Sequence, residues 1–102
     1  MDVNHVFGVL ASLPRRQIIA FLGQTALSTT DLAARFGTSA PAVSRHLSVL
    51  LHAGLVSAER QGKQVLYRLN RDVLLNALSQ FASEVDGPLR RSSPARSPRE
   101  AI

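Results

Sequence analysis

The sequence predicts a mainly α-helical fold carrying one β-hairpin, in the order α-α-α-α-β-β-α. Three observations lead there. Apolar residues recur at helical spacing through the first half, broken by Ser, Pro and Gly where helices would start and stop. After Gly54 the period changes from helical to alternating, over two short runs separated by Gln61-Gly62-Lys63-Gln64. Helical spacing then resumes beyond Asn70.

Val3, Val6, Phe7 and Leu10 define the first short helix, whose outer face is only weakly polar. Ser12 and Pro14 signal the start of a second, with Ile18, Ile19 and Leu22 as its buried stripe and Gly23 as its stop. Arg15 and Arg16 fall in its first turn, where a cation opposes the helix dipole. A phosphate contact and a solvated surface pair are both open readings of them. Ser28 can cap a third helix, and Asp31 three residues on completes a capping-box pattern. Leu32, Ala33 and Phe36 give this helix an inner side, and Gly37 ends it. Ser39 is the next N-cap, with Pro41 in the first turn, where its missing N–H costs little. Gly54 closes that fourth helix.

At about 100° per residue, Val43, Leu47, Leu50 and Leu51 of the fourth helix share one side. Arg45 falls nearly opposite, flanked by Pro41, Ala42, Ser44 and Ser48. A solvated helix more usually carries Lys and Glu there. Small residues instead allow close approach to another surface, and an Arg can bond guanine or phosphate. A helix-turn-helix asks this of its recognition helix, although an ordinary helical hairpin has the same spacing. Leu55–Arg60 and Val65–Leu69 read as the two strands of a hairpin, with Lys63 and Gln64 in the turn and Arg60 at its base. A hairpin directly after a recognition helix is the wing of a winged helix-turn-helix, and its basic tip suits phosphate or minor-groove contact. Asn70 caps the last helix, which runs to about Val85. Leu74, Leu78, Phe81 and Val85 form one stripe, widened by Val73, Ala77 and Ala82. Two readings of this excess apolar surface are open: a two-fold dimer interface shared with the first helix, or a fold-back onto the domain's own core.

The 102 residues suit one small domain, predicted to span residues 1–86. Twelve Lys and Arg against seven Asp and Glu leave a net charge of +5, which favours a polyanionic partner, most often nucleic acid. Arg45, Arg60, Lys63, Arg68 and Arg71 lie between Ser39 and Arg71, with Glu59 the only acid there. Residues 87–102, GPLRRSSPARSPREAI, hold four more Arg and read as a disordered basic tail. The absence of Cys removes disulfides, thiolate metal sites and thiol switches. The first residues form neither a signal peptide nor a membrane span, so the expected location is the cytoplasm.

In this order of elements the sequence resembles the ArsR/SmtB family of bacterial winged-helix repressors, and most closely its metal-less branch, which includes autorepressors of the Sdp-repressor type. The matching segments are LPRRQIIAFL, STTDLAARFGTSAPAVSRHLSVLLHAGLVSAERQGKQVLYRLN and the last helix, roughly residues 3 to 85. The resemblance implies a homodimer that binds an operator in double-stranded DNA and represses transcription. It implies an interface built from Val3, Val6, Phe7, Leu10, Leu74, Leu78, Phe81 and Val85 of the first and last helices. It places base reading on Ala40, Pro41, Ser44 and Arg45, with Ser39 and His46 close by, and adds Arg60, Lys63 and Gln64 of the wing to the DNA-binding set. Ala40 and Pro41 offer only apolar contact, for instance to a thymine methyl, so hydrogen-bond readout falls on Ser44 and Arg45. His46 sits to the side, where packing, phosphate and base contact are all open.

The departures from the family pattern matter as much. Metal-sensing members resemble one another in Cys pairs on the first helix of the helix-turn-helix; here that place reads Leu27-Ser28-Thr29-Thr30-Asp31. Others carry Asp and two His on the last helix; here it has Asp72, Glu84 and Asp86 and no His. His46 and His52 lie about 240° apart around one helix and cannot share an ion within a protomer. No metal site and no cofactor are therefore expected, apart from a cross-dimer pair involving His5. A metal- or small-ligand-responsive repressor with a non-standard site and a winged helix used only for protein contact remain the alternatives. An enzyme is not expected, for want of a Cys nucleophile, a Gly-rich phosphate loop or a triad-like His spacing.

Overall fold

The computed structural model describes residues 3–86. They form α1 (Val3–Leu10), α2 (Leu13–Leu22), β1 (Leu27–Ser28), α3 (Thr29–Phe36), α4 (Ala40–His52), β2 (Val56–Gln61), β3 (Gln64–Leu69) and α5 (Arg71–Asp86). The tail predicted over residues 87–102 lies outside the described residues.

Local signals set most of the boundaries. Ser12 Oγ accepts from Arg15 N–H at the start of α2, and Pro14 occupies its first turn. Ser28 and Asp31 complete the capping box of α3: Ser28 Oγ accepts from Asp31 N–H at 3.1 Å, and Asp31 Oδ2 accepts from Ser28 N–H at 3.3 Å. Gly37 ends α3 at φ 64°, a left-handed conformation that costs an L side chain energy. Helix α4 ends in a Schellman turn, with Gly54 at φ 75°. Gly54 N–H donates to Leu51 O and Leu55 N–H to Leu50 O, both at 3.0 Å.

The core forms where four helices meet the base of the hairpin. Val6, Ile18, Leu32, Val43, Leu47, Leu50 and Leu55 are fully buried, one or more from every helix but α5. Each contributes about 1.5–3 kcal/mol of burial. Helix α5 adds the buried Ala77 and the partly buried Val73 and Leu74.

Several expectations are corrected. Leu51 does not share the buried side of α4 but is exposed on its margin. Asn70 precedes α5, but its side chain bonds to Gly54 and Ser57 rather than capping its own helix. Gly23 does end α2 as expected, in a right-handed conformation at φ −67°. The hairpin is one residue out of the expected bounds: Leu55 is core, and Gln61 and Gln64 pair across a two-residue turn, Gly62-Lys63. Leu27–Ser28 forms an unanticipated strand that pairs antiparallel with β3, giving the sheet order β1-β3-β2. Two residues are too few to show an alternation.

Gly37→Ala should destabilise the domain by about 1 kcal/mol in denaturant unfolding, because nothing lies within 4 Å of the added Cβ and the cost is conformational alone. Gly37→Asn should cost less, since Asn tolerates this region better.

Candidate nucleic-acid interface

Helix α4 is split lengthwise by its own sequence. Val43, Leu47 and Leu50 are sealed in the core, so the helix cannot roll without exposing them. Ala40, Pro41, Ser44, Arg45 and Ser48 consequently face outward and are exposed. Ser39 starts the helix in an extended conformation, and its Oγ accepts from Ala42 N–H at 3.3 Å. Its hydroxyl is therefore already engaged in capping. His46 is half-buried and lines a groove between α2 and α4 with Gln17 and Thr38, to the side of the Arg45 face.

The paired strands β2 and β3 form the wing. After the buried Val56, every residue of β2 from Ser57 to Gln61 is exposed. Arg60 lies opposite Val65, Lys63 occupies the turn, and Gln64 opens β3. Glu59 and Arg68 form an exposed ion pair at 3.4 Å, and Gln61 also donates to Glu59. An exposed pair of this kind contributes little to stability, but it offsets the charge of Arg68.

The cations divide sharply. Arg15 Nε donates to Val9 O at 2.8 Å and Arg16 to Leu10 O at 2.6 Å. Both satisfy carbonyls at the C-terminal end of α1, where a cation complements the helix dipole. That accounts for their place in the first turn of α2 better than either reading left open above. Arg35 lies over the Phe21 ring, 5.5 Å from its centroid, and Arg71 donates to Gly23 O at the end of α2. Arg68 is paired with Glu59. Among the described residues, Arg45, Arg60 and Lys63 are the cations with no intramolecular partner. All three lie on the outer side of α4 or on the wing. Sequence reasoning had no signal for the other side of this division, because the carbonyls that engage Arg15, Arg16 and Arg71 are chosen by tertiary packing.

The residues expected at a dimer interface separate into two groups. Val6 is 0% exposed within the protomer and has no surface to offer, which removes it from the expected set. Leu10 and Leu74 pack against the protomer's own core, and Val3 and Phe7 are half-buried. Phe7 and Phe81 meet edge to face across α1 and α5, with centroids 5.5 Å apart. Outward lie Leu78, Phe81 at 51% and Val85 at 69% exposure, joined by Leu75 at 53%, which periodicity alone did not single out. Among the described residues, no group of three or more His, Cys, Asp or Glu is close enough to hold a metal ion, and no helix is long and apolar enough to cross a membrane.

A helix-turn-helix whose second helix shows a small, basic, partner-free face, followed by a basic hairpin, defines a winged helix-turn-helix regulator rather than an enzyme. The chain belongs to the arsR family of bacterial regulatory proteins, whose sequence profile matches residues 14–58. It is similar to the transcriptional repressor SdpR of Bacillus subtilis, 32% identical over 90 residues that cover 85% of this chain and 100% of that protein. It is also similar to the regulator KmtR of Mycobacterium tuberculosis, 37% identical over 84% of this chain and 68% of that protein. An ArsR-like transcriptional regulator from Rhodococcus superposes with a TM-score of 0.73 at 30% identity, covering 82% of each chain. The homodimeric winged helix-turn-helix DNA-binding domain of a possible ArsR-family regulator from Mycobacterium bovis superposes with a TM-score of 0.69 at 32% identity, over 82% of this chain and 80% of that one.

Ser39→Ala should lower stability by about 1 kcal/mol through loss of the cap, and Ser39→Asp should restore it, as read by thermal or denaturant unfolding.

Proposed function

We propose that this protein is a cytoplasmic, homodimeric repressor that binds a near-palindromic operator in double-stranded DNA. The observation that carries this reading is that, among the described residues, the partner-free cations are Arg45 on α4 and Arg60 and Lys63 on the wing. Cations held by carbonyls or carboxylates serve the fold; those left over are available to an external polyanion. In this reading α4 lies in the major groove, with Ser44 and Arg45 reading base edges and Ala40 and Pro41 allowing close approach. Ser39, its hydroxyl committed to the cap, contributes mainly by starting the helix beside the DNA. His46, half-buried, flanks the groove contact, and Arg60, Lys63 and Gln64 meet the backbone next to it.

The dimer is two-fold, formed by the outer side of α5 with α1 beside it. Leu75, Leu78, Phe81 and Val85 form an exposed apolar strip that a symmetric partner would cover. The homodimeric neighbour from Mycobacterium bovis supports this reading. Two recognition helices would then meet half-sites about 10 base pairs apart, or a multiple of that. The chain has no Cys, and its last helix has no His, so the regulatory signal is proposed to act without the thiolate or last-helix metal sites of metal-sensing members.

Selection of bound sequences from a random DNA pool should recover a near-palindrome. On that operator Arg45→Ala should cost about 1–3 kcal/mol and relax specificity at one position per half-site. Lys63→Ala should weaken all sequences alike and flatten the salt dependence, from a log–log slope of about −5 to −7 if six to eight phosphates are engaged. Unchanged affinity and preference in Arg45→Ala would exclude α4 as the reading element. Phe81→Glu should shift the protein to monomer mass in analytical ultracentrifugation and leave it folded, because Phe81 is half-exposed in the protomer.

A further inference from the structure

We infer that Asn70 is a positioning residue that sets the separation of the two recognition helices and so selects operators by half-site spacing. The inference rests on the dimeric reading above. Asn70 immediately precedes α5, yet its side chain reaches back to the end of α4. Its Nδ2 donates to Gly54 O at 2.9 Å, across sixteen residues of chain. Its Oδ1 accepts from Ser57 Oγ at 3.2 Å, and its backbone N–H donates to Leu55 O at 2.9 Å. Leu55 N–H in turn closes the terminal turn of α4 on Leu50 O. The next residue, Arg71, donates to Gly23 O and brings the end of α2 into the same joint.

The chemistry suits an amide. Asn presents a donor and an acceptor on one short planar head, whereas Asp lacks the donor and Ala lacks both. An Asn serving its own helix would turn Oδ1 onto the N–H groups of the first turn. Here Oδ1 faces Ser57 instead, so the start of α5 forgoes a side-chain cap in favour of a tie to α4. In a two-fold dimer held by α5, any play between α5 and α4 appears on both sides of the axis. One base pair of offset is about 3.4 Å and about 35° of helical phase. A hydrogen-bonded joint held well within that distance favours one spacing over its neighbours.

The test uses the full chain and the operator recovered from the random pool, compared with versions carrying one or two base pairs inserted at its centre. The readout is the ratio of affinities for matched and mis-spaced operators. A lower folded fraction scales both affinities equally and cancels in the ratio. Asn70→Ala should reduce the ratio about fivefold or more, a usual size for coupling between linked elements, with dimer mass retained. Ser57→Ala, which keeps the bond to Gly54, should act in the same direction but less, and it decides the matter if Asn70→Ala fails to fold. Asp31→Ala, which breaks the capping box of α3 and none of the joint's bonds, should leave the ratio unchanged. A dimeric Asn70→Ala or Ser57→Ala protein with the wild-type ratio would overturn the inference and leave the dimeric repressor standing. A wild-type protein that is monomeric, or indifferent to spacing, would overturn both.

Discussion

The burial of Val43, Leu47 and Leu50 against the α2–α3 side of the domain is the interaction on which the rest depends. These three side chains leave α4 one rotational setting. Rolling the helix toward the solvent would expose branched apolar surface worth several kcal/mol, more than any outer-face contact could return. The outer face is therefore decided by the inner one. Ala40, Pro41, Ser44, Arg45 and Ser48 point outward because nothing else about the helix is negotiable. Ser39 and Gly54 complete the definition, one by capping the start and the other by turning the chain sharply at the end.

Charge is organised around the same constraint. The domain holds a surplus of cations but does not spread them evenly over its functions. Arg15 and Arg16 sit at the end of α1, Arg71 at the end of α2, and Arg35 over an aromatic ring. Each meets a carbonyl dipole or a π face that the fold leaves exposed. Among the described residues Arg45, Arg60 and Lys63 meet none, and they lie on the two elements that a winged helix-turn-helix presents to a duplex. A net charge states that a polyanion is plausible; the intramolecular partners state which cations are free to meet one.

Helix α5 has a double character that neither of the two readings open at the sequence level describes alone. Ala77, Leu74 and Val73 turn inward and join the core, while Leu75, Leu78, Phe81 and Val85 face out. Phe7 supports Phe81 from beneath. The helix is thus anchored to its own protomer along one side and unpartnered along the other. The joint at its start ties it to the end of α4, so the apolar outer side of α5 and the small, basic outer side of α4 belong to one hydrogen-bonded frame.

Local chemistry determined much of this protein from its sequence alone. Serine caps, the capping box of Ser28 and Asp31, the left-handed glycines, the change of period after Gly54 and the small, basic outer face of α4 all act within a few residues, so they are legible in order along the chain. Tertiary structure decided what depends on distant partners. It assigned Arg15 and Arg16 to the carbonyls of α1, drew Leu27–Ser28 into a sheet through β3, sealed Val6 in the core, left Leu51 at the margin and turned Asn70 from its own helix to Gly54 and Ser57. The physical reason is that periodicity reports which side of an element is apolar, whereas burial and hydrogen-bond partners depend on which other element arrives there.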